Sequence, residues 1–197
     1  MSTIWLGKGS KTGNSAKIYA IDPHTGSPIH REMYGNVWTF EELKKNIKLA
    51  QVEDIITPIV KTSKEAAKNW NNKFIEFLWI DGNHSYDMAK LDFDLWSPCL
   101  ANGGIIAFHD ATSFSGVRKV VIDNILKSKN FINIGFVGSI IFAEKVPFNT
   151  IKDRFNNVGV LFSWSIYELF LKGKQYLPKP IKEMGKKLLK GLSKIRI

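Results

Sequence analysis

A chain of 197 residues that is 44% hydrophobic and 12% aromatic has enough apolar material for one ordinary globular domain without cross-links. Cys99 is its only cysteine, which excludes an internal disulfide, suits a reducing cytoplasm, and predicts a small buried side chain near a helix end rather than a nucleophile. Of the net charge of +10, +8 falls in residues 172–197, where nine Lys/Arg face Glu183 alone, so any nucleic-acid or membrane role concerns that tail.

In chain order, "STIWL" is too short and too soon followed by Lys8 and Lys11 to read as a signal peptide. The glycine-rich "GKGSKTGNS" (7–15) lacks the spacing of a phosphate loop and precedes a strand instead of following one. It reads as a helix-to-strand loop. "AKIYAID" predicts a buried strand ending on Asp22. "TFEELKKNIKLAQV" predicts a helix starting at Thr39, with Phe40, Leu43, Ile47 and Ala50 at helical spacing. "DIITPIVKTS" reads as a second strand that Pro58 confines to an edge or a bent start, and "SKEAAKNW" as a short helix. "KFIEFLWID" is a third strand, reaching Asp81. "DMAKLDFDLWSPCL" is a helix with Met88, Leu91, Leu95 and Trp96 on one face, closed by Pro98. "NGGIIAFHDA" turns into a fourth strand ending on His109 and Asp110. "GVRKVVIDNILKS" is an amphipathic helix through Val117, Val120, Val121 and Ile125, and "FINIGFVGSIIFAEK" closes the body as one or two antiparallel strands. Strands alternating with helices predict a doubly wound, Rossmann-like α/β domain over residues 1–148, with a mainly parallel sheet and helices on both faces. A helical, basic extension follows over 149–197.

Three predicted strands end on titratable residues: Asp22, Asp81, and the pair His109–Asp110. In an open parallel sheet that edge is where ligands bind. Aspartate is a poor strand former and costly near a core, so three such endings need either capping roles or chemistry. A lone acid after an early strand suits the vicinal hydroxyls of a ribose. Asp81, His109 and Asp110 together offer oxygen ligands and an imidazole of the kind Mg²⁺ or Mn²⁺ accepts. His84 is either a general base beside them or a loop histidine bonded to backbone.

"YAIDPHTGS", "LWIDGNHSYDMAKLDFDLWSPCLANGGIIAFHDA" and "GVRKVV" resemble the class I S-adenosylmethionine-dependent methyltransferases. The likeness covers about residues 2–145 and is greatest to methyltransferase family 24, related to metal-dependent sugar O-methyltransferases and cephalosporin-hydroxylase-like proteins. The resemblance implies Asp22, Ser63 and Asp81 at the cofactor and Asp81, His109 and Asp110 at the metal. It also implies His84 as the base. His109 departs from the acid or amide usual at its position. The family's first strand and glycine-rich loop have no counterpart, since "MSTIWL" reads as the start of the helix that follows them.

The resulting expectation is an S-adenosylmethionine-dependent O-methyltransferase, divalent-metal-assisted, acting on a hydroxyl of a sugar, glycoconjugate or small molecule. The alternative is a non-catalytic, truncated methyltransferase-like binding domain. A nicotinamide-dependent oxidoreductase also wants an acid after its second strand but has no place for the metal-type cluster. "VGVLFSWSIYELFL" (158–171) is too short for a membrane span. Beyond Pro178 and Pro180, Ile181, Met184, Leu188, Leu189, Leu192 and Ile195 line one face of a lysine-rich helix. That helix suits either packing on the domain or a second subunit, or an anionic membrane surface. Nucleic acid is not expected, for want of an aromatic stacking platform. The expected location is cytoplasmic, with peripheral membrane association left open through the tail.

Overall fold

The computed structural model describes residues 2–26, 28–71 and 74–173, with a few isolated positions beyond. They form two compact units divided between Asn71 and Asn72.

In the first unit, helix α1 (Ser2–Thr12) leads to strand β1 (Ile18–Ile21), helices α2 (Pro28–Tyr34) and α3 (Phe40–Leu49), strand β2 (Ile56–Ile59) and helix α4 (Ser63–Lys68). The strands pair in parallel from Ile18 opposite Ile56 to Ile21 opposite Ile59. Among the described residues β2 has no other ladder partner, an edge position that suits Pro58, which has no N–H to donate. The core is Ile47, Val52, Ile55 and Ile56, against which Ile4, Ile18, Leu43 and Ala50 pack. The predicted face of α3 is therefore its packed face. Helix α4 is started by a capping box: Thr62 Oγ1 accepts from the Glu65 N–H while the Glu65 carboxylate accepts from the Thr62 N–H.

The glycine-rich stretch differs from expectation. Gly7 and Gly9 lie inside α1, and only residues 13–17 form the connection to β1. Packing explains Gly7, where a Cβ would sit 2.7 Å from Ile56 Cδ1. The helix needs that close approach more than it needs helix propensity.

In the second unit come strand β3 (Ile75–Ile80), helix α5 (Tyr86–Trp96) with a 3₁₀ turn at Ser97–Cys99, and strand β4 (Leu100–Phe108). Helix α6 (Ser115–Val121) follows, continued by a π turn over Ile122–Leu126. Strands β5 (Phe131–Val137) and β6 (Ile140–Lys145) and helix α7 (Ile151–Gly173) complete it. The strand order is β3-β4-β6-β5. β3 runs parallel to β4, and β6 is antiparallel to both β4 and β5, the predicted closing hairpin. The fold is α/β and Rossmann-like, with parallel pairing of β1 with β2 and of β3 with β4, helices between the strands, and an antiparallel end to the second sheet.

The sheet is cored by Ile106, Ala107, Phe108, Ile141 and Ala143. Val117, Val120, Val121 and Ile125 are buried, as the helical spacing predicts. On α5 the buried residues are Ala89 and Trp96, whereas Met88 is exposed. Phe93 lies on the Ala89–Trp96 side and stacks near Phe108 and Phe131, so the packed stripe is turned one residue from the predicted one. Cys99 is half-buried in the 3₁₀ turn.

α7 packs through Val160, the buried Asn157 and the fully buried Trp164. The Arg118 guanidinium of α6 lies 4.5 Å from the Trp164 ring, donates to Ser165 Oγ at 3.4 Å and pairs with the Glu168 carboxylate. Among the described residues no helix is long and apolar enough to cross a membrane. The lysine-rich helix expected over 178–197 lies almost wholly outside the described residues.

Candidate active site

Each unit presents one group of polar side chains at a strand's carboxyl end. In the first, Asp22 follows β1, and its Oδ1 accepts the His24 N–H at 2.6 Å. His24 has a left-handed φ of 59°. It is buried beside Trp38 and Phe40, with Nδ1 2.9 Å from Thr39 Oγ1 and its carbonyl accepting the Thr39 N–H at 3.2 Å. The loop after β1 is thereby tied to the start of α3. One carboxylate oxygen of Asp22 is used in fixing its rotamer, and the residue is exposed. An acceptor-only group so placed fits a vicinal diol. Ser63 is the first residue of α4, directly after the Thr62 cap.

In the second unit the four residues singled out in the sequence come together. Asp81 follows β3, while His109 and Asp110 follow β4, and the parallel pairing of Ile80 with Phe108 puts both ends at the same level. The His109 N–H donates to the Ile80 carbonyl at 3.0 Å. His109 Nδ1 lies 3.1 Å from Asp81 Oδ1 and 3.4 Å from Asp110 Oδ2. Trp79 Nε1 donates to Asp81 Oδ2 at 3.3 Å, and the Trp79 ring lies against the His109 ring at 5.8 Å. His84 Nε2 stands 3.5 Å from Asp110 Oδ2, and its ring stacks on Phe114 with centroids 4.1 Å apart. These side chains are neither sealed nor fully solvated: His84, Asp81 and His109 each expose about a third of the side chain and Asp110 a quarter.

The backbone holds this arrangement in place. Asp110 has φ 56°, a left-handed setting that aspartate tolerates better than most residues, and its carbonyl accepts from the Ser113 and Phe114 N–H groups. Asn83 Oδ1 accepts the Ser85 N–H, and Ser85 caps α5 through Met88 N. Gly116 lies flat against the His84 loop, where a Cβ would stand 2.4 Å from the His84 carbonyl oxygen and 2.5 Å from Tyr86 N. Gly82 similarly leaves room for Asp92, whose Oδ2 would be 2.8 Å from a Cβ there. His24, Phe114 and Gly116 were not among the predicted site residues. The histidine and the glycine stood inside the quoted motifs, but nothing in their residue types marks them as supports.

The expected metal set, Asp81, His109 and Asp110, is assembled as a cluster but not as a ligand set. The imidazole nitrogen lies between the two carboxylates, at ion-pairing distance from each. Among the described residues no group of three or more His, Cys, Asp or Glu side chains has an arrangement that holds a metal ion.

A family model described as a methyltransferase domain, family 24, matches residues 1–111. The chain belongs to this methyltransferase-domain family. The match takes in Asp22, Ser63, Asp81, His84, His109 and Asp110. Among curated proteins, an uncharacterised protein of Sinorhizobium fredii (strain NBRC 101917 / NGR234) is 26% identical over 96 residues, which is 49% of this chain. The methyltransferase-domain chain spans only 10% of that relative's length. Among solved structures, the O-methyltransferase NovP superposes with a TM-score of 0.60 at 13% identity, over 73% of this chain and 66% of NovP. CalS11, a calicheamicin methyltransferase, superposes with a TM-score of 0.52 at 14% identity, over 71% of this chain and 65% of CalS11. At such identities these likenesses speak for the fold.

Proposed function

We propose that the protein transfers a methyl group from S-adenosylmethionine to a hydroxyl of a small-molecule or glycan acceptor. The observation that carries this reading is the convergence of His84 and Asp110, with His109 and Asp81, at the carboxyl ends of two adjacent parallel strands in a methyltransferase-family chain. When bound, S-adenosylmethionine supplies a methyl carbon on a sulfonium, so that the C–O bond forms as the C–S bond breaks. Asp22 offers its second oxygen to the ribose hydroxyls, with the first held by His24. Ser63 and Asp81 are the other proposed cofactor contacts. His84 takes the proton of the acceptor hydroxyl. With Nε2 turned toward Asp110, its Nδ1 is the nitrogen left for the acceptor, and the Asp110 carboxylate stabilises the imidazolium that forms. Phe114 fixes the plane of that ring. No step is assigned to Mg²⁺ or Mn²⁺, because His109 stands between the carboxylates that would hold it.

A sugar or glycoconjugate hydroxyl is the preferred acceptor on family resemblance. The test is calorimetric titration of the folded chain with S-adenosylhomocysteine, beside Asp22→Ala. Losing two hydrogen bonds to a carboxylate is expected to weaken binding by about tenfold or more. Absence of binding to the folded wild-type chain would sink the enzymatic reading in favour of a non-catalytic binding domain.

A further inference from the structure

α7 has two apolar faces, and only one of them is packed. Asn157, Val160 and Trp164 face the sheet and α6. On the opposite side Ile151, Phe155, Val158, Phe162, Ile166 and Leu169 are all exposed, between 42% and 75%. Their spacing of three and four residues sets them within an arc of about 80°, on a stripe about 27 Å long. Phe148, 82% exposed, adds a further ring just before the helix begins. A continuous apolar stripe of this kind on a folded surface marks an interaction site, since isolated exposed residues would be scattered.

The stripe runs directly into the chain's concentrated charge. Lys172 is in the last turn of α7, and residues 172–197 carry a net +8. Residues 1–171 are also slightly positive, at +2, so the rest of the chain carries no net negative charge to offset that segment. Two copies joined stripe to stripe in parallel would bring two such segments together. Joined antiparallel, each would lie against the start of the other's helix, where Lys152 and Arg154 outnumber Asp153. A polyanion in water would meet the charge but leave the phenyl rings uncovered. A partner that is anionic at its surface and apolar just beneath meets both.

We propose that α7 lies flat on an anionic lipid bilayer, its Phe155–Phe162 stripe buried at the headgroup boundary and the lysine-rich segment held by the lipid phosphates and carboxylates. Among the described residues no helix is long and apolar enough to cross a membrane, and a helix packed along one side with an apolar stripe on the other is suited to lie on a bilayer. The inference is independent of the methyl-transfer reading, since it uses none of the site residues.

The test is co-sedimentation of the full chain with vesicles of phosphatidylcholine containing about 30% phosphatidylserine, beside pure phosphatidylcholine vesicles. The wild-type chain is expected to pellet with the anionic vesicles and not with the neutral ones, and raised salt should release it. Two phenyl rings removed from the bilayer in F155S/F162S should lower the bound fraction about tenfold or more, and K186E/K187E/K190E should do the same through charge. Both variants alter exposed or tail residues, and circular dichroism would establish that they remain folded. Failure of the wild type to bind anionic vesicles overturns the proposal, as does binding unaffected by F155S/F162S. A concentration-dependent dimer in sedimentation velocity, dissolved by F155S/F162S and without vesicle binding, would reassign the stripe to a contact between copies.

Discussion

Gly116 contributes to the site by what it lacks. The His84 carbonyl and the Tyr86 amide lie where its side chain would be. Gly116→Ala must therefore displace the backbone that carries His84, away from Asp110 and Phe114. An overpacked contact of this kind costs about 1–3 kcal/mol, which a thermal melt would register. Methyl transfer, once an acceptor is in hand, should fall by about 100-fold, since a misplacement near 1 Å in a proton-transfer geometry has that order of effect. Unchanged kcat in the alanine variant would show that the histidine's position is not critical. The residue types around this contact explain what could and could not be read in advance. Asp81, His84, His109 and Asp110 advertise themselves because acids and imidazoles at strand ends conflict with strand propensity and burial. A supporting glycine or a ring that stacks behind a histidine conflicts with nothing, so its role becomes visible only in three dimensions. For the expected metal set, composition supplies candidate ligands, but how an imidazole stands relative to two carboxylates is a matter of rotamers that residue types do not specify.

At the scale of elements, periodicity specified most of what it addressed. The Val117–Val120–Val121–Ile125 and Leu43–Ile47–Ala50 spacings each mark the face their helix buries or half-buries. Where the pattern misled, small residues were responsible. Ala89 turns α5 toward its own side and leaves Met88 outside, and Gly7 allows α1 to continue against Ile56 through what resembles a loop. The π turn that ends α6 has no sequence signature. Its Asp123 is held by both Lys119 and Lys127, whose ammonium groups lower its carboxyl pKa to about 2. α7 was legible as apolar but not as two-faced, because alternating packed and unpacked stripes sum to a helix with apolar residues on every side. Its attachment rests on Trp164, fully buried beneath Arg118. Trp164→Ala should cost about 3–5 kcal/mol in urea unfolding followed by circular dichroism. A loss below about 1 kcal/mol would mean that the helix is not held to the sheet by this face.

Over the whole molecule, charge and chemistry are kept apart. The candidate catalytic groups lie in a stretch that is close to neutral, while the basic surplus is gathered in the last 26 residues. The two proposed roles, so separated in the sequence, should respond independently to mutation. The K186E/K187E/K190E variant is expected to keep the wild-type affinity for S-adenosylhomocysteine to within about twofold, since none of the proposed cofactor contacts belongs to the tail and surface charges act weakly at ordinary salt. A larger change in the calorimetric Kd would show that the tail reaches the cofactor site after all.

The contacts of Arg118 have one more consequence. Its guanidinium meets Trp164, Ser165 and Glu168, three positions that together cover about one turn of α7. A helix gripped at three such points can neither roll about its axis nor slip along it. Each residue of slip would turn the helix by about 100°, enough to carry Phe155 and Phe162 from the outer side to the flank. Arg118 thus acts as an index pin. Which side chains this protein shows to its surroundings is decided as much by one cation on the neighbouring helix as by the phenyl rings themselves.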